Sequence, residues 1–599
     1  MATGSSRQWL RAYRVLVGFS FGSAPREAAL FLLCAVVMAL QVPAAAFGAK
    51  LLVDGVLARD VRAALAATAL LALLAGMGLL NTLYYLDFLF AVAEKTGAAV
   101  NRRLIALMAG IPGLAHHERP EYLNELDLLR EERGRLAWMT NATAGIIRVV
   151  VGLAVSLVLL ARLDPLLLLL PLLGIGSFLA GRRARDLQQR AAEETTEAER
   201  LRRHLFELAT SADAGKELRV FGLVPELLRR HHAVAEAVAR PRDRAEWQSA
   251  GLEACGAVLF GLGYAGAIGL ALLHALEGRL TPGDVVLTVG LAAGLNGVVQ
   301  VAVGYGTSFL HVLRVARRFL WLEDYAAVAR RDPARPAPVP ARLERGLELE
   351  DLSFRYPDSD APVLDGVSLR LPAGIVVALV GENGAGKTTL VKLLGRFYEP
   401  DSGRILVGGV DLARIPVEAW RARVSAAFQD FTRFELLARE TVGIGRLARI
   451  DDPPAVEASL ARAGAGDVVP KLPRGLETQL GRAWDGGVDL SGGQWQKLAL
   501  GRAMMRDDPL LVVFDEPTAA LDAQTEHTLF ERFAAAARAG AGAGTVTVLV
   551  SHRFSTVQMA DVIVVLDQGR IVEEGSHEEL LRRDGLYAEL YRLQSRAYR

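Results

Sequence analysis

Long aliphatic runs fill the first half of the chain and give way to shorter apolar stretches among polar residues in the second half. A helix needs roughly 20 apolar residues to cross a bilayer. Six runs reach that length, at residues 27–56, 62–92, 138–162, 164–184, 248–275 and 283–315. The loops between the runs alternate between short and long. This pattern predicts an all-α transmembrane domain of six helices over residues 27–325.

The chain before the first run has a different pattern. Its apolar residues recur at helical spacing among arginines, at Trp9, Leu10, Tyr13, Leu16 and Val17. This spacing favours a short interfacial helix within residues 1–26, with a solvated tail as the alternative. Residues 28–46 imitate a cleaved signal peptide, but the apolar run continues to Val53 and reaches membrane length. We therefore expect this run to remain as the first span.

A proline-rich segment at residues 331–340 interrupts the helical pattern and predicts a linker over residues 326–346. From Leu347 onward, aliphatic runs of strand length alternate with helical stretches. The clearest of these runs are Val376–Val380, Leu510–Phe514 and Val546–Val550. Runs of this kind are typical of parallel strands that are buried on both faces of a sheet. Residues 347–599 are therefore predicted to form an α/β domain.

Composition agrees with a membrane protein and gives no general attraction to nucleic acid. Of the 599 residues, 52% are hydrophobic and only 7% are aromatic. The 68 basic and 67 acidic residues leave a net charge of +1, so no overall field draws in a polyanion. Cys34 and Cys255, the two cysteines, lie in apolar surroundings and support neither a disulfide framework nor a metal-binding cysteine cluster.

Basic residues are concentrated before the first run and in the long loops after the second and fourth runs. The short loops near residues 54–62, 162–164 and 274–284 are almost balanced in charge. Because Lys and Arg mark the cytoplasmic side, the N-terminus, both long loops and everything after residue 318 are expected in the cytoplasm. The chain is predicted to cross the plasma membrane several times, in contact with the lipid bilayer.

A glycine-rich segment follows the predicted strand Val376–Val380. It matches the phosphate loop G-x-x-x-x-G-K-[ST] through Gly381, Glu382, Asn383, Gly384, Ala385, Gly386, Lys387 and Thr388, with Thr389 next to it. Its backbone N–H groups can curl around a phosphate at the N-terminus of the following helix. Lys387 is expected to reach the β- and γ-phosphates, and the Thr388 hydroxyl to bind Mg²⁺. The segment predicts an ATP site that uses Mg²⁺.

An acidic pair, Asp515 and Glu516, ends a second aliphatic run. A buried strand would carry Asp515 to its exposed end, where a carboxylate can hold a metal ion. Glu516 is placed to act as a general base on the attacking water. Taken with the phosphate loop, the pair predicts ATP hydrolysis, with Glu516 and Lys387 among the catalytic residues.

The segment Leu490-Ser491-Gly492-Gly493-Gln494 completes a pattern that resembles the ATP-binding cassette (ABC) transporters. The resemblance covers nearly the whole chain and is to exporter-type half-transporters, whose six-helix membrane domain precedes the ATP-binding domain. In that family this segment is the signature sequence, and two ATP-binding domains pack head to tail. The resemblance implies that Ser491, Gly493 and Gln494 contact ATP held by a second copy or a paralogous chain.

Further residues match the family's motifs individually. Tyr356 resembles the aromatic residue that stacks on adenine, and Gln429 resembles the glutamine that contacts Mg²⁺ and water. His552 resembles the switch histidine that bonds the γ-phosphate, and Asp522 resembles the aspartate at the dimer seam. Asp485 stands where exporters often carry a glutamate that touches the partner's coupling loop, so its role is left open.

Two segments of the long loops, residues 118–123 and 216–222, are interpreted as coupling elements that dock on ATP-binding domains. Ordinary solvated helices are the alternative. Charged residues are assigned to the ends of the spans, which leaves no counter-ion for a charged cargo. Asn296, Gln300 and Thr307 share one face of the sixth run and either line a translocation cavity or pack helices together.

These features predict an ATP-driven exporter of a neutral or amphipathic small molecule, lipid or peptide. An importer of siderophore-like cargo on the same fold is one alternative. An ATP-gated channel or regulatory protein is another, although a nucleotide switch needs little hydrolysis and Glu516 is present. The likeness of the chain to half-transporters leaves open whether its partner is identical or a paralogue.

Overall fold

The computed structural model describes residues 6–212, 214–357, 359–516, 544–551 and 553–597. The chain divides into two compact units. Unit 1 comprises residues 1–109 and 125–324, and unit 2 comprises residues 110–124 and 325–599. In the described residues, unit 1 is helical, whereas unit 2 combines helices with two sheets. Residues 110–124 therefore belong to the unit that contains the sheets, although they lie in the first long loop of the helical half of the sequence.

The described residues of the first half of the chain form helices that range from four to 53 residues in length. In chain order these are α1 (Ser6–Ser23), α2 (Pro25–Leu57), α3 (Val61–Ala109), α4 (Ala115–Glu118), α5 (Pro120–Leu136), α6 (Met139–Leu163), α7 (Leu170–Glu194), α8 (Thr196–Thr210), α9 (Gly215–Val220), α10 (Val224–Leu276) and α11 (Pro282–Ala329). Six helical segments in the described part of the chain are long and apolar enough to cross a membrane, namely α2, α3, α6, α7 with its preceding 3₁₀ turn, α10 and α11.

Several of these helices run well beyond the apolar runs that predict them. Helix α3 has 49 residues, α10 has 53 and α11 has 48. A hydropathy pattern marks only the part of a helix that suits lipid, while the helix itself continues wherever its backbone hydrogen bonds can be kept. Helix α3 accordingly continues past Lys95 to Ala109, and α11 reaches Ala329 within the segment predicted as linker.

The described residues of unit 2 form ten strands in two sheets. The strands are β1 (Leu347–Phe354), β2 (Leu364–Leu371), β3 (Val376–Val380), β4 (Ser402–Val407), β5 (Val410–Asp411), β6 (Val424–Ala427), β7 (Leu511–Asp515), β8 (Val546–Val550), β9 (Val562–Asp567) and β10 (Arg570–Gly575). Its helices after β3 are α12 (Lys387–Leu394), α13 (Val417–Arg421), α14 (Ala438–Gly443), α15 (Pro453–Arg462), α16 (Gly492–Ala503), α17 (Phe554–Val557), α18 (His577–Arg583) and α19 (Leu586–Ala597).

The larger sheet brings the candidate chemistry to one edge. Its strand order is β10-β9-β3-β8-β7-β6, and every neighbouring pair except β10 with β9 is parallel. Strands β3 and β8 are buried along their whole length, as their continuous apolar runs predict. Since β3 and β7 both pair with β8 in parallel, the loop after β3 and the acidic residues that end β7 meet at the carboxyl edge.

Trp420 supports helix α12, which follows the phosphate loop. Its side chain is fully buried in the hydrophobic core, and its Nε1 donates a hydrogen bond to the Leu394 carbonyl at 2.8 Å. We expect Trp420→Ala to destabilise unit 2 by about 3–5 kcal/mol, since it removes a large core side chain and leaves a cavity. Calorimetry of the purified full-length protein in detergent should show the loss as a lower unfolding midpoint.

Trp484 offers the matched control for that measurement. Its side chain is 54% exposed, and its Nε1 donates to Glu435 Oε2 at 3.1 Å. Trp484→Ala should cost much less than Trp420→Ala, because little apolar area returns to water. Equal shifts for the two variants would show that Trp420 does not carry the stability of this region.

Candidate functional site

The loop between β3 and α12 is built on backbone that favours glycine. Gly381 has φ +155° and Gly386 has φ +101°, both in the left-handed half of conformational space. A Cβ on Gly381 would lie 2.2 Å from the Leu566 carbonyl oxygen, so there is no room for a side chain. The loop therefore curls with its backbone close to strand β9 and ends at the N-terminus of α12, the arrangement that binds phosphate groups.

Lys387 is the first residue of α12, and its side chain bonds back to the loop. Its Nζ donates hydrogen bonds to the carbonyl oxygens of Gly381 and Glu382, both at 2.8 Å. Burial lowers the pKa of Lys387, while the carboxylates of Glu516 and Asp515 act in the opposite direction. A cation thus lies in the centre of the loop, within reach of any phosphate that the loop holds.

Asp515 is the last residue of β7 and is only 3% exposed. Burial, followed by the charge of Glu516, raises the pKa of Asp515 to about 6, so the carboxyl group is largely ionised at neutral pH. Its Oδ1 is buried and accepts no hydrogen bond from a described residue. A buried carboxylate oxygen beside the Thr388 hydroxyl is a donor set that suits a divalent cation such as Mg²⁺.

Glu516 follows directly and has an unusual backbone. Its φ is +45°, in a region that residues other than glycine occupy only when their surroundings impose it. The Glu516 N–H donates to the Val550 carbonyl at the end of the adjacent strand, with a distance of 3.0 Å. The sheet thus holds the start of the turn, and the half-buried Glu516 side chain lies beside Asp515 and Lys387.

Tyr356 lies next to α12 and forms an aromatic surface. Its hydroxyl is 3.2 Å from Thr389 Oγ1, and its ring makes edge contacts with Phe354 and Tyr398 at centroid distances of 5.1 and 5.5 Å. These contacts fix the ring orientation beside the phosphate loop. A ring fixed in this way is suited to stacking on a planar base.

Gln429 comes two residues after β6 and has an exposed side chain. Since β6 pairs in parallel with β7, Gln429 belongs to the same carboxyl edge as Asp515. Asp522 and His552, the other residues assigned from sequence, lie outside the described residues.

The signature segment begins helix α16. Ser491 Oγ accepts from the Gln494 N–H at 3.3 Å, and Gln494 Oε1 accepts from the Ser491 N–H at 2.9 Å. This capping box fixes the first turn, while Ser491 and Gly492 stay exposed. Within the described ranges, no hydrogen bond or ion pair joins residues 490–494 to residues 381–389. The exposed helix N-terminus is an anion-binding surface in its own right.

Residues 112–119 form a docked segment within unit 2. Arg421 Nη2 donates to the Pro112 carbonyl at 2.7 Å, and the Leu114 N–H donates to the Phe397 carbonyl at 3.3 Å. Glu118 accepts from Lys392 Nζ at 3.0 Å and from the Tyr398 hydroxyl. The first of the two segments interpreted as coupling elements therefore begins against the sheet-containing unit. Nothing in the sequence predicted this contact for Lys392, Tyr398 and Arg421.

The second such segment is exposed in unit 1. Helix α9 and the turn after it present Val220, which is 79% exposed, and Phe221, which is 67% exposed. Exposed large apolar side chains next to one another indicate a contact surface.

Among the described residues of unit 1, arginines line two cavities. Arg148, in the middle of α6, lines a cavity of about 220 Å³. A second cavity, of about 700 Å³, is bounded by Arg182, Arg185, His311 and Arg314, with one acid, Asp186, and with apolar surface from Phe178, Phe309 and Leu310. The expectation that charges lie only at span ends is wrong at Arg148. A single guanidinium in an aliphatic run scarcely lowers its average hydropathy, so it was overlooked.

Of the polar residues predicted to line a cavity, Thr307 lies in the wall of the larger one. Its hydroxyl accepts from Arg185 at 2.7 Å and donates to the Gly304 carbonyl at 2.9 Å. The side chains of Asn296 and Gln300 lie outside the described part of the chain.

Comparisons with known proteins agree with this architecture. Residues 364–519 match the family model described as "ABC transporter". The chain is 35% identical over 337 residues to an "ATP-dependent lipid A-core flippase" of Chromohalobacter salexigens, covering 56% of each protein. It is also 35% identical over 391 residues to the protein of that name from Chromobacterium violaceum, covering 65% of this chain and 64% of the relative. These alignments span between half and two thirds of the relatives' length.

A solved structure extends the likeness to almost the full chain. The "Structure of a bacterial Atm1-family ABC exporter with ATP bound" superposes with a TM-score of 0.73 at 26% identity. The match covers 95% of this chain and 97% of the solved one.

Proposed function

We propose that this chain, an ABC half-transporter with the exporter fold, uses ATP to export an amphipathic molecule across a membrane as one half of a dimer. One observation carries the proposal. The phosphate loop and Asp515 meet at one edge of a buried parallel sheet, in a chain whose described residues also include six helices of membrane length. An ATPase without a membrane task would not need the helices.

Each site residue has a role in the proposed ATPase. The amides of residues 381–389 and the Lys387 ammonium hold the phosphates, and Tyr356 stacks on adenine. Thr388, Asp515 and Gln429 would hold Mg²⁺, which neutralises charge on the phosphates when bound. Glu516 takes a proton from the attacking water, and His552 orients the γ-phosphate.

The proposed dimer places the signature segment of one chain on the ATP held by the other chain. In the proposal Ser491, Gly493 and Gln494 bind the γ-phosphate of ATP held by the partner, and Asp522 lies at the seam. The absence of any bond between residues 490–494 and residues 381–389 in the described chain supports this arrangement. The exposed Val220 and Phe221 supply a further surface for a partner's ATP-binding domain. The partner is a second copy or a paralogue.

Orientation follows from charge. We place the N-terminus, both long loops and the ATP-binding domain in the cytoplasm, because basic residues are concentrated in these segments. ATP is then available to unit 2 directly, and transport runs outward from the cytoplasmic side. Uptake of cargo into inside-out vesicles on addition of ATP tests this direction, and an importer would not load such vesicles.

The cavities refine the class of cargo. Three arginines and one aspartate in a wall that also carries Phe178 and Phe309 suit an amphipath with an anionic group. The relatives are named as flippases of lipid A-core, which is a lipid cargo. Among the neutral or amphipathic small molecules, lipids and peptides that the sequence predicted, we therefore favour a lipid-like amphipath with a phosphate or carboxylate group.

Arg185→Gln should weaken the response to an anionic amphipath. A charge-assisted hydrogen bond is worth about 1.5–3 kcal/mol, so we expect a roughly tenfold or larger rise in the concentration that half-stimulates ATPase activity. Purified protein in nanodiscs, titrated with a phosphate-bearing lipid and with a neutral one, gives the measurement. Arg190→Gln is the matched control, because Arg190 is exposed on the same helix and does not line the cavity. An equal shift in the control would refute the cavity assignment.

A further inference from the structure

We propose that Glu118 and Lys392 are positioning residues for the adenine platform Tyr356, so that the docked segment of the first long loop sets the affinity for the base. This inference rests on the ATP site proposed above. It adds two residues that touch no nucleotide in that proposal, and it concerns the base rather than the phosphates.

Lys392 lies between the docked segment and the platform. Its Nζ is 3.0 Å from Glu118 Oε1, 5.3 Å from the centroid of the Tyr356 ring and 5.8 Å from that of Tyr398. Glu118 also accepts from the Tyr398 hydroxyl, and Tyr398 contacts Tyr356 edge-on. Glu118 therefore reaches Tyr356 by two routes, through a cation and through a ring.

The surroundings hold the lysine in place. Its side chain is 26% exposed, and that of Glu118 is 36% exposed. Burial lowers the pKa of Lys392, but the hydrogen bond and charge of Glu118, together with the Tyr356 hydroxyl, outweigh burial and the pKa is raised. The ammonium is thus kept charged, and its position is fixed by the carboxylate.

A cation held against one face of an aromatic ring leaves the other face for a planar partner. It also draws electron density from the ring, which favours stacking with an electron-rich purine. The Tyr356 hydroxyl beside Thr389 fixes the ring along the phosphate loop. Removing Lys392 takes away one of the contacts on the ring and the polarisation that it provides, so stacking of the base is weakened while the phosphates keep their contacts.

The effect of Glu118 can be separated from docking itself. The segment is also held through backbone groups, by Arg421 to Pro112 and by Leu114 to Phe397. Glu118→Gln leaves these bonds in place and removes the charge that positions Lys392. Its effect should have the same sign as that of Lys392→Met, and the two should not add in the double variant.

The test compares ATP with inorganic tripolyphosphate, which has phosphates but no base. Binding of both is measured on the full-length protein in nanodiscs with EDTA present, and KM and kcat are measured separately with Mg²⁺. In Lys392→Met we expect ATP to bind about three- to tenfold more weakly, the range of a partly buried cation–π contact. Tripolyphosphate affinity should be unchanged, KM should rise more than kcat falls, and Lys392→Arg should restore ATP affinity.

Lys471→Met is the control, since Lys471 also pairs with an acid, Asp467, at 2.8 Å and Asp467 keeps Lys497. Equal weakening of ATP and tripolyphosphate, unchanged ATP binding, or tighter ATP binding in Lys392→Met would overturn the inference. Tighter binding would mean that Lys392 covers the face that the base uses. Failure of the proposed ATP site is a different result, because the unaltered protein would then show no saturable ATP binding.

Discussion

Replacing Glu516 by glutamine should reduce ATP hydrolysis by about 10²- to 10⁴-fold, the usual contribution of a general base, while ATP still binds. The amide has the shape of the carboxylate but cannot take a proton from water. The loop, Lys387 and Asp515 remain in place to hold the nucleotide. Phosphate release and retention of labelled ATP by the protein in nanodiscs measure the two effects separately.

The Glu516 result needs a control for loss of charge in the same domain. Glu574 lies exposed on the edge strand β10, away from the carboxyl edge. Glu574→Gln should hydrolyse ATP at the normal rate. Normal turnover in Glu516→Gln would mean that another group is the base, and loss of ATP binding would mean that the substitution disturbs the backbone that holds φ at +45°.

Dimers that carry Lys387→Met and Ser491→Arg on different chains should hydrolyse ATP, whereas dimers that carry both changes on one chain should not. If the ATP sites form head to tail, each site takes Lys387 from one chain and Ser491 from the other. Changes on different chains then fall in the same site and leave the second site intact. Both changes on one chain inactivate both sites. Loss of the phosphate-bound cation alone is expected to cost about 10²-fold or more. Two affinity tags allow each mixed dimer to be purified and assayed.

The reverse outcome would contradict the head-to-tail arrangement. If each chain closed its own site, the dimer with both changes on one chain would keep one complete site. Lys471→Met paired with Ser491→Arg on a separate chain provides the control, because Lys471 belongs to a surface ion pair and not to the phosphate loop. That pair should also retain one complete site.

The sequence located the strands of unit 2 more closely than the ends of the helices of unit 1. Strands β3 and β8 coincide with aliphatic runs, because burial on both faces demands apolar residues at every position. Helices α3 and α10 exceed their runs, because a helix that leaves the membrane keeps its hydrogen bonds but no longer needs apolar residues.

The candidate site divides in a similar way. The phosphate loop could be recognised in the sequence because its residues are contiguous and its glycines allow the backbone to curl around phosphate. The pair of Glu118 and Lys392 could not be recognised in this way, because 274 positions separate the two residues. Glu118 begins a segment that was predicted to dock, but no motif includes Lys392. Arg148 was missed for a different reason. A pattern averaged along the chain hides one charge, although Arg148 is among the residues that line a cavity of about 220 Å³.

The docked segment also has a consequence for the order in which the protein is made. Glu118 leaves the ribosome 274 residues before Lys392, which at about 5–20 residues per second is a delay of roughly 14–55 s. During this time Leu114 and Ala115 have no surface to pack against, because the hydrophobic core that they contact has not been synthesised. A shortened chain that begins at residue 325 would lack the docked segment, so the surface at Phe397 that the segment covers would be exposed to water. The docked segment is therefore translated early but can join its domain only after the residues that it contacts have been synthesised.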